Sequence, residues 1–186
     1  GAQVIHFVSE LNATYGQAAL TLEGNATSGL SLGYSSSNPA VAEVNGSKLL
    51  ILGSGTSVIT AYQGGNANFD AAPDRNATLQ VGKATLTVKA NDASKGYLAA
   101  VPNLSYELLG FVNDENASVL ATSPTIATVA NASSAAGTYP ITVTGGSAAN
   151  YQLSHQNGTL AVGKGAQVIH FVSELNATYG QAALTL

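Results

Sequence analysis

The first 22 residues of the chain return letter for letter as residues 165–186. Identity over that length does not arise by chance or from a shared fold, so we interpret the chain as one repeat followed by the start of the next. Because residue 165 repeats residue 1, the period is 164 residues. A unit of this size suits one large or two small domains, each able to bury a core of its own.

A shorter echo marks boundaries inside the repeat. Residues 76–83 (NATLQVGK) return 81 residues later as residues 157–164 (NGTLAVGK), and a new strand-like run follows each copy at once. We therefore expect two domains, residues 1–83 and 84–164, with residues 165–186 as the first strands of the next repeat. No Gly/Ser-rich or Pro-rich linker intervenes, so successive domains should be joined stiffly.

The hydrophobic pattern of residues 1–83 has a period of two, which is typical of strands. Ile5 and Phe7 alternate with Val4, His6 and Val8. Residues 41–44 and 47–52 face each other across residues 45–46 (NG), which tolerate the positive φ of a type I′ hairpin turn. With turn signals about every 8–12 residues and no sustained helical period, the pattern predicts an all-β chain of two tandem small β-domains, the first a sandwich.

Short motifs rich in turn residues follow one another through this first domain. They are residues 15–17 (YGQ), 28–30 (SGL), 34–39 (YSSSNP), 44–46 (VNG), 53–56 (GSGT) and 65–69 (GNANF). Their order resembles that of the bacterial immunoglobulin-like repeats of large surface proteins. The resemblance covers nearly all of residues 1–83 and implies an Ig-like sandwich. The motifs supply turns and half-buried anchors, and we expect Tyr34 and Phe69 to cap the core.

The second domain has a different set of motifs, at residues 84–90, 106–111 (YELLGF), 137–143 (GTYPITV) and 150–160. Through these motifs residues 84–164 resemble the MBG domain of YGX type, which often accompanies such repeats. Where the family usually has Tyr-Gly followed by Pro, this chain has Gly96-Tyr97 and then Pro102. Residues 114–121 are compatible with one short helix capped by Asp114 or Asn113. A sandwich and a β-grasp-like fold with at most one short helix therefore both remain open.

Nine of the fifteen asparagines begin an Asn-x-Ser/Thr acceptor, although 35 Ser and Thr among 186 residues would place a hydroxyl after only about three of them. Crowding of Asn, Ser and Thr in turns is the alternative explanation, but composition alone under-predicts the count. The excess favours covalent N-glycans and an extracellular or cell-surface location. The candidates are Asn12, Asn25, Asn45, Asn76, Asn103, Asn116, Asn131, Asn157 and Asn176.

Composition excludes several classes of function. The chain has no cysteine, which removes disulfides, thiolate metal sites and a cysteine nucleophile. Its six Lys and Arg are scattered and its formal net charge is −4, so we expect no nucleic-acid partner. No apolar run is long enough to span a membrane, and no signal peptide is visible.

Reactive groups do not cluster along the sequence. His6 and His155 have no nearby cluster of acidic or histidine residues that could form a catalytic or metal site with them. No nucleophile elbow, phosphate loop or zinc motif occurs. Asp and Asn oxygens of the kind that bind calcium occur in two groups, but neither follows the EF-hand spacing. These groups are Asp70 and Asp74 with Asn66 and Asn68, and separately Asp92, Asp114 and Glu115. Calcium therefore stays an open alternative without support from the spacing, and we expect no other cofactor.

Two further possibilities have simpler explanations. Most tyrosines, including Tyr62, Tyr139 and Tyr151, lie in strand patterns, so we expect them to pack in the core or across strands rather than bind sugars. A covalent cross-link from Lys83 or Lys164 to an asparagine is conceivable in a stalk, but the sequence does not place the acidic neighbour it needs.

We therefore expect a non-enzymatic structural repeat of a long extracellular stalk or filament, in which β-domains set reach and stiffness. The alternative is an adhesive module that binds a glycan or protein on another surface. The expected partners are neighbouring repeats of the same protein. These would be joined end to end through the continuous chain or by donation of the unpaired strands of residues 165–186, and we favour the continuous chain.

Overall fold

A computed structural model of the chain describes residues 1–169 and 179–180. In this part of the chain the fold is all-β, and the only helix is a single 3-10 turn, Ala117–Val119. The strands before Lys83 form what we call the first strand set. They are β1 (Ile5–Phe7), β2 (Glu10–Thr14), β3 (Leu20–Thr21), β4 (Gly24–Ala26), β5 (Gly33–Ser36), β6 (Ala42–Asn45), β7 (Lys48–Ile51), β8 (Gly55–Gln63) and β9 (Ala72–Gly82).

The first strand set forms two layers. In one layer β1 pairs with β4, and β3 pairs with β7, which also pairs with β6. Only residues 22–23 separate β3 from β4, and the Leu22 amide donates to the Ser47 carbonyl at 2.8 Å, so we assign these two small sheets to one layer. The other layer has the order β2-β9-β8-β5, with β2 parallel to β9. With β1 as strand A, the layers have the ABED and CFG order of an immunoglobulin-like sandwich.

The second strand set follows after a single residue, Lys83. Its two sheets have the orders β12-β10-β15 and β11-β16-β14-β13. Every strand pairing in the described part of the chain joins strands of the same set. The strands are β10 (Ala84–Ala90), β11 (Ala93–Gly96), β12 (Tyr106–Leu109), β13 (Leu120–Thr128), β14 (Gly137–Ala148), β15 (Tyr151–Gln156) and β16 (Gly158–Gly163).

Each set buries a core between its two layers. In the first set Leu49 and Ile51 meet Ile59, Leu79 and Val81 from the opposite layer. In the second set the core joins both sheets through the buried side chains of Val88, Ile141, Val143, Leu160 and Val162. Because these cores lie between facing sheets, the second set is a sandwich, and the β-grasp alternative is not adopted.

The period-two interpretation of the first strands is confirmed. Ile5 is buried and Phe7 half-buried, whereas Val4, His6 and Val8 are exposed. Such alternation follows because successive side chains of a strand point to opposite faces. Tyr34 is half-buried and packs against the ring of Phe7, with 5.5 Å between centroids, as expected of a residue that caps the core.

The predicted hairpin forms, but its turn is displaced by one residue. Asn45 pairs with Lys48, so the two turn residues are Gly46 and Ser47 rather than Asn45 and Gly46. Only Gly46 has positive φ, at 61°. A glycine with positive φ at the first turn position is the type II′ pattern, so the type I′ prediction was wrong.

The short helix predicted at residues 114–121 is reduced to the 3-10 turn Ala117–Val119, and its cap was assigned to the wrong residue. Asn113 and Asp114 both have left-handed φ, at 55° and 56°, which is incompatible with an N-cap. Asn116 is the cap instead, and its side chain accepts a hydrogen bond from the Ser118 amide. The prediction of strand donation concerns residues 165–186, which lie mainly outside the described residues.

Candidate functional site

The clearest concentration of polar and aromatic contacts lies where the two strand sets meet. Tyr15 directly follows β2 and continues the inward phase of Leu11 and Ala13, and its amide donates to the carbonyl of Gly82 at 2.9 Å. Only 6% of Tyr15 is exposed, because its ring enters a cluster with residues of the second set such as Leu86. We call this region the Tyr15 junction.

A carboxylate connects the two sets at this junction. The hydroxyl of Tyr15 donates to Oε1 of Glu115 at 2.8 Å, and the hydroxyl of Tyr151 donates to Oε2 of the same residue. The rings of Tyr15 and Tyr151 pack edge to face with centroids 5.7 Å apart, and Phe111 packs on Tyr151 in the same way at 5.9 Å. The junction therefore combines charge-assisted hydrogen bonds with favourable aromatic geometry.

Tyr151 is the most strongly perturbed titratable group of the junction. Burial raises its pKa, and the hydrogen bond to Glu115 raises it further, to about 12 from 10.0. The Val112 amide donates to the Tyr151 hydroxyl at 3.0 Å, which lowers the pKa and opposes this shift. The phenol is therefore held as a neutral donor, and the group serves to join the two sets rather than to transfer protons at neutral pH.

A glycine permits the close approach of the two sets. Gly16 has φ of +85°, and a Cβ added there would lie 2.5 Å from Cβ and Cγ2 of Val112. A second contact lies nearby, where the Oδ1 atom of Asn150 accepts hydrogen bonds from the Ser54 amide at 2.9 Å and the Ser54 hydroxyl at 3.2 Å. The interface thus has shape and polar complementarity at two separate points.

The candidate glycosylation residues have a shared placement. All eight that the structure describes are exposed, from Asn12 on β2 to Asn157 between β15 and β16, while Asn176 lies outside the described residues. None of their eight side-chain amide nitrogens donates a hydrogen bond to another described residue. The acceptor nitrogen of each is therefore accessible.

Two of these acceptors have a defined local geometry. Oδ1 of Asn131 accepts from the amide and the hydroxyl of Ser133, both at 2.9 Å, and Oδ1 of Asn116 accepts from the Ser118 amide at 3.0 Å. These Asx turns hold the hydroxyl residue beside the asparagine and leave the nitrogen unengaged.

The other residues weighed from the sequence are dispersed. His6 is exposed on β1, whereas His155 contacts the carbonyl of Gly145 through Nε2 at 2.7 Å. Asp92 accepts from the Thr159 amide at 2.7 Å, and Glu115 lies in the Tyr15 junction. No three His, Asp or Glu side chains within residues 1–169 and 179–180 form a metal-binding group.

The remaining weighed residues also have local roles. Asp70 is exposed and lies 3.7 Å from the terminal amine of Gly1. The Nζ atom of Lys83 donates to the carbonyl of Ala148 at 3.4 Å. Sequence reasoning missed that Tyr15 and Glu115, which are 100 positions apart, meet. The alternation along β2 places Tyr15 on the same inward face as Leu11 and Ala13, and this was the available signal for Tyr15. No local signal identified Glu115 as its partner.

Comparison with known proteins identifies one part of the chain. Residues 86–161 match the family model described as MBG domain (YGX type). The match covers less than half of the chain and none of residues 1–85, so the resemblance of residues 1–83 to bacterial immunoglobulin-like repeats stays a prediction. No curated protein sequence matches the chain. Among the described residues, no helix has the length and apolar character required to cross a membrane.

Solved structures show only a distant likeness. Drosophila N-cadherin EC1-4 is 7% identical, with 88% of this chain and 50% of that chain covered and a TM-score of 0.35. The four N-terminal Ig domains of Dscam1 isoform 6.9 are 10% identical, with 84% of this chain and 43% of that chain covered and a TM-score of 0.36. The titin I-band fragment I67-I69 is 8% identical, with 87% of this chain and 66% of that chain covered and a TM-score of 0.36. The chain thus spans half the length of the N-cadherin fragment, and scores this low support no inference about function.

Proposed function

We propose that this chain is a non-enzymatic structural repeat of a long, N-glycosylated extracellular stalk or filament. Residues 1–83 and 84–164 act in it as two domains, and neighbouring repeats are joined end to end through the continuous chain. The observation that carries the proposal is the Tyr15 junction. There Glu115 accepts from one tyrosine of each strand set, and only Lys83 separates β9 from β10.

This junction supports a mechanical role because it restricts movement between the two sets. A single connecting residue leaves little freedom for bending, and the buried aromatic rings and the Ser54–Asn150 contact oppose rotation about it. When such a unit is repeated at each period, the length of the stalk increases in proportion to the number of repeats. No cofactor, metal ion or nucleic acid takes part in the proposal.

Electron microscopy of chains with two and four complete repeats tests this function. We expect thin particles whose contour length doubles with repeat number and whose bending is small. Replacing Tyr15 and Glu115 by alanine in every repeat should broaden the distribution of bending angles, whereas Tyr62→Ala on an exposed face should not. Compact or freely bent wild-type particles would contradict the proposal.

The glycan component rests on the exposure of the eight described acceptors and on their unengaged nitrogens. Intact mass of natural material before and after glycosidase treatment tests it directly. We expect a mass loss on treatment and glycopeptides that include Asn131, whose Asx turn leaves the nitrogen unengaged. A bare mass would refute the glycosylation and weaken the proposed cell-surface location.

An adhesive function is the second candidate, and Tyr62 favours it. This ring lies over Gly33, where an added Cβ would come within 2.4 Å of its Cζ atom, and 46% of Tyr62 remains exposed. A flat, exposed ring supported from below suits stacking against a sugar. Glycan-array binding by the chain that is lost in Tyr62→Ala would support adhesion, and absence of any bound glycan would count against it.

A further inference from the structure

The second strand set contains a turn, directly after β11, that has the same backbone position as the turn at the Tyr15 junction. β11 runs parallel to β16, as β2 runs parallel to β9. Tyr97 follows β11 and its amide donates to the carbonyl of Gly163 at 2.9 Å, just as the Tyr15 amide donates to Gly82 at 2.9 Å. In both cases the acceptor glycine is followed by the lysine at which the chain leaves its set.

The residue after each tyrosine has positive φ. Gly16 has φ of +85°, and Leu98 has φ of 64°. Left-handed φ is unfavourable for leucine, so the surrounding structure must hold this turn in place. The Leu98 amide donates to the carbonyl of Ala132 at 3.1 Å.

A buried lysine holds the same turn. Only 9% of Lys95 is exposed, and its ammonium donates to the carbonyls of Gly96, Ala99 and Ala132 at 3.1 to 3.3 Å. These bonds join the turn to the loop before β14. Lys95 thus holds the turn of Tyr97 and Leu98, whose side chains are exposed.

The two turns differ in what covers them. Tyr15 is 6% exposed because the second strand set packs on it. Tyr97 is 43% exposed and Leu98 66% exposed, so these two apolar side chains are accessible to a binding partner beside Ala136.

We propose that the Tyr97–Leu98 turn is the docking surface for a second copy of the first strand set, joined in tandem after Lys164. The inference rests on the proposed function, because it requires that a complete repeat follows. The array then has two kinds of junction, one centred on Tyr15 and the other on Tyr97.

The path of the chain selects this occupant. Gly165, the copy of Gly1, lies against Tyr97, and an added Cβ would be 3.5 Å from its Cβ and Cδ1 atoms. In the first strand set the amine of Gly1 donates to the Asn68 carbonyl at 2.7 Å, and its carbonyl accepts from the Asp70 amide at 3.0 Å. The copy of that loop in the next repeat is thereby placed beside Tyr97, where the half-buried ring of Phe69 offers an apolar contact.

Cysteine labelling tests the proposal cleanly, because the chain has no cysteine of its own. Ala136→Cys is introduced into the 186-residue chain and into the first repeat of a chain with two complete repeats, and its rate of reaction with a maleimide is measured. We expect the rate to fall at least tenfold in the two-repeat chain. Val58→Cys, exposed on β8, should react equally in both chains.

A second variant guards against indirect effects. Tyr97→Ala in the two-repeat chain should restore fast labelling of Ala136→Cys, because the docked surface is lost. Equal labelling of Ala136→Cys in the two wild-type backgrounds would overturn the proposal. Protection that appears only at high concentration of the 186-residue chain would also overturn it, since the occupant would then be a separate molecule.

This outcome is separable from that of the proposed function. Straight particles with fast Ala136→Cys labelling would reject the Tyr97–Leu98 docking surface and leave the stalk intact. Flexible particles with slow labelling would reject the stalk and leave the docking surface intact.

Discussion

Substitution of Gly16 by alanine tests how closely the two strand sets approach each other. The added Cβ would lie 2.5 Å from two atoms of Val112, closer than real Cβ atoms come, and Val112 Cβ cannot swing away as a flexible chain end does. Positive φ costs alanine about 1–2 kcal/mol, and overpacking adds about 1–3 kcal/mol. We therefore expect Gly16→Ala to destabilise the chain by roughly 2–5 kcal/mol.

Gly29 supplies a matched control, because its φ is +76° and nothing lies within 4 Å of an added Cβ. Gly29→Ala should cost only the positive-φ part, about 1–2 kcal/mol. The difference between the two variants therefore isolates contact with Val112. Urea unfolding of the complete chain, followed by far-UV circular dichroism, measures both values.

A double-mutant cycle with Val112→Gly completes this test. Removing the Val112 side chain removes the three atoms that the new methyl would meet, so Gly16→Ala in that background should cost no more than Gly29→Ala. Equal losses for Gly16→Ala and Gly29→Ala in the wild-type background would refute the close approach. An undiminished loss in the Val112→Gly background would refute the assignment to Val112.

Three other variants examine the core, the junction and the buried lysine. Leu79→Ala, at a fully buried position, should cost about 2–5 kcal/mol in urea unfolding, whereas Val129→Ala, 79% exposed, should stay within about 0.5 kcal/mol. Because folding raises the pKa of Tyr151, the hydroxyl loses its proton at a lower pH in the unfolded chain than in the folded chain. The contribution of Tyr151 to stability is therefore complete below pH 10 and is lost as the pH rises to about 12. Tyr151→Phe should flatten the stability profile over that window, and an unchanged slope would contradict the shift. Lys95→Met should lower the thermal midpoint, because three carbonyls lose their donor, and an unchanged midpoint would show that those bonds contribute little.

Strands were predictable from sequence where alternation is strong and local. The strand-like run that begins at Ala84 becomes β10 (Ala84–Ala90), and Ile5 and Phe7 face inward as expected. Backbone conformations in turns were harder to predict from the sequence, because contacts with neighbouring parts of the structure determine them. Ser47 rather than Asn45 completes the hairpin turn, and Asn113 takes a left-handed conformation before the 3-10 turn.

Contacts between the two strand sets were not predictable from one sequence. Tyr15 was recognised as part of a turn motif and Glu115 as one of several acidic residues, but their meeting depends on how two complete sandwiches pack. Lys95 shows the same limitation, since its buried ammonium is satisfied by carbonyls that local patterns do not bring together. The exposure of the glycosylation candidates follows more simply, because Asn12, Asn25 and Asn76 occupy outward positions of alternating strands.

We expect the two strand sets to move as one body, because the Tyr15 junction joins them. Residual dipolar couplings of backbone amides in the 186-residue chain measure this directly, because each set reports its own alignment. We expect a single alignment tensor to fit residues 5–82 and 84–163 together, and we expect the two fits to diverge in Gly16→Ala. Two independent tensors in the wild-type chain would contradict the account.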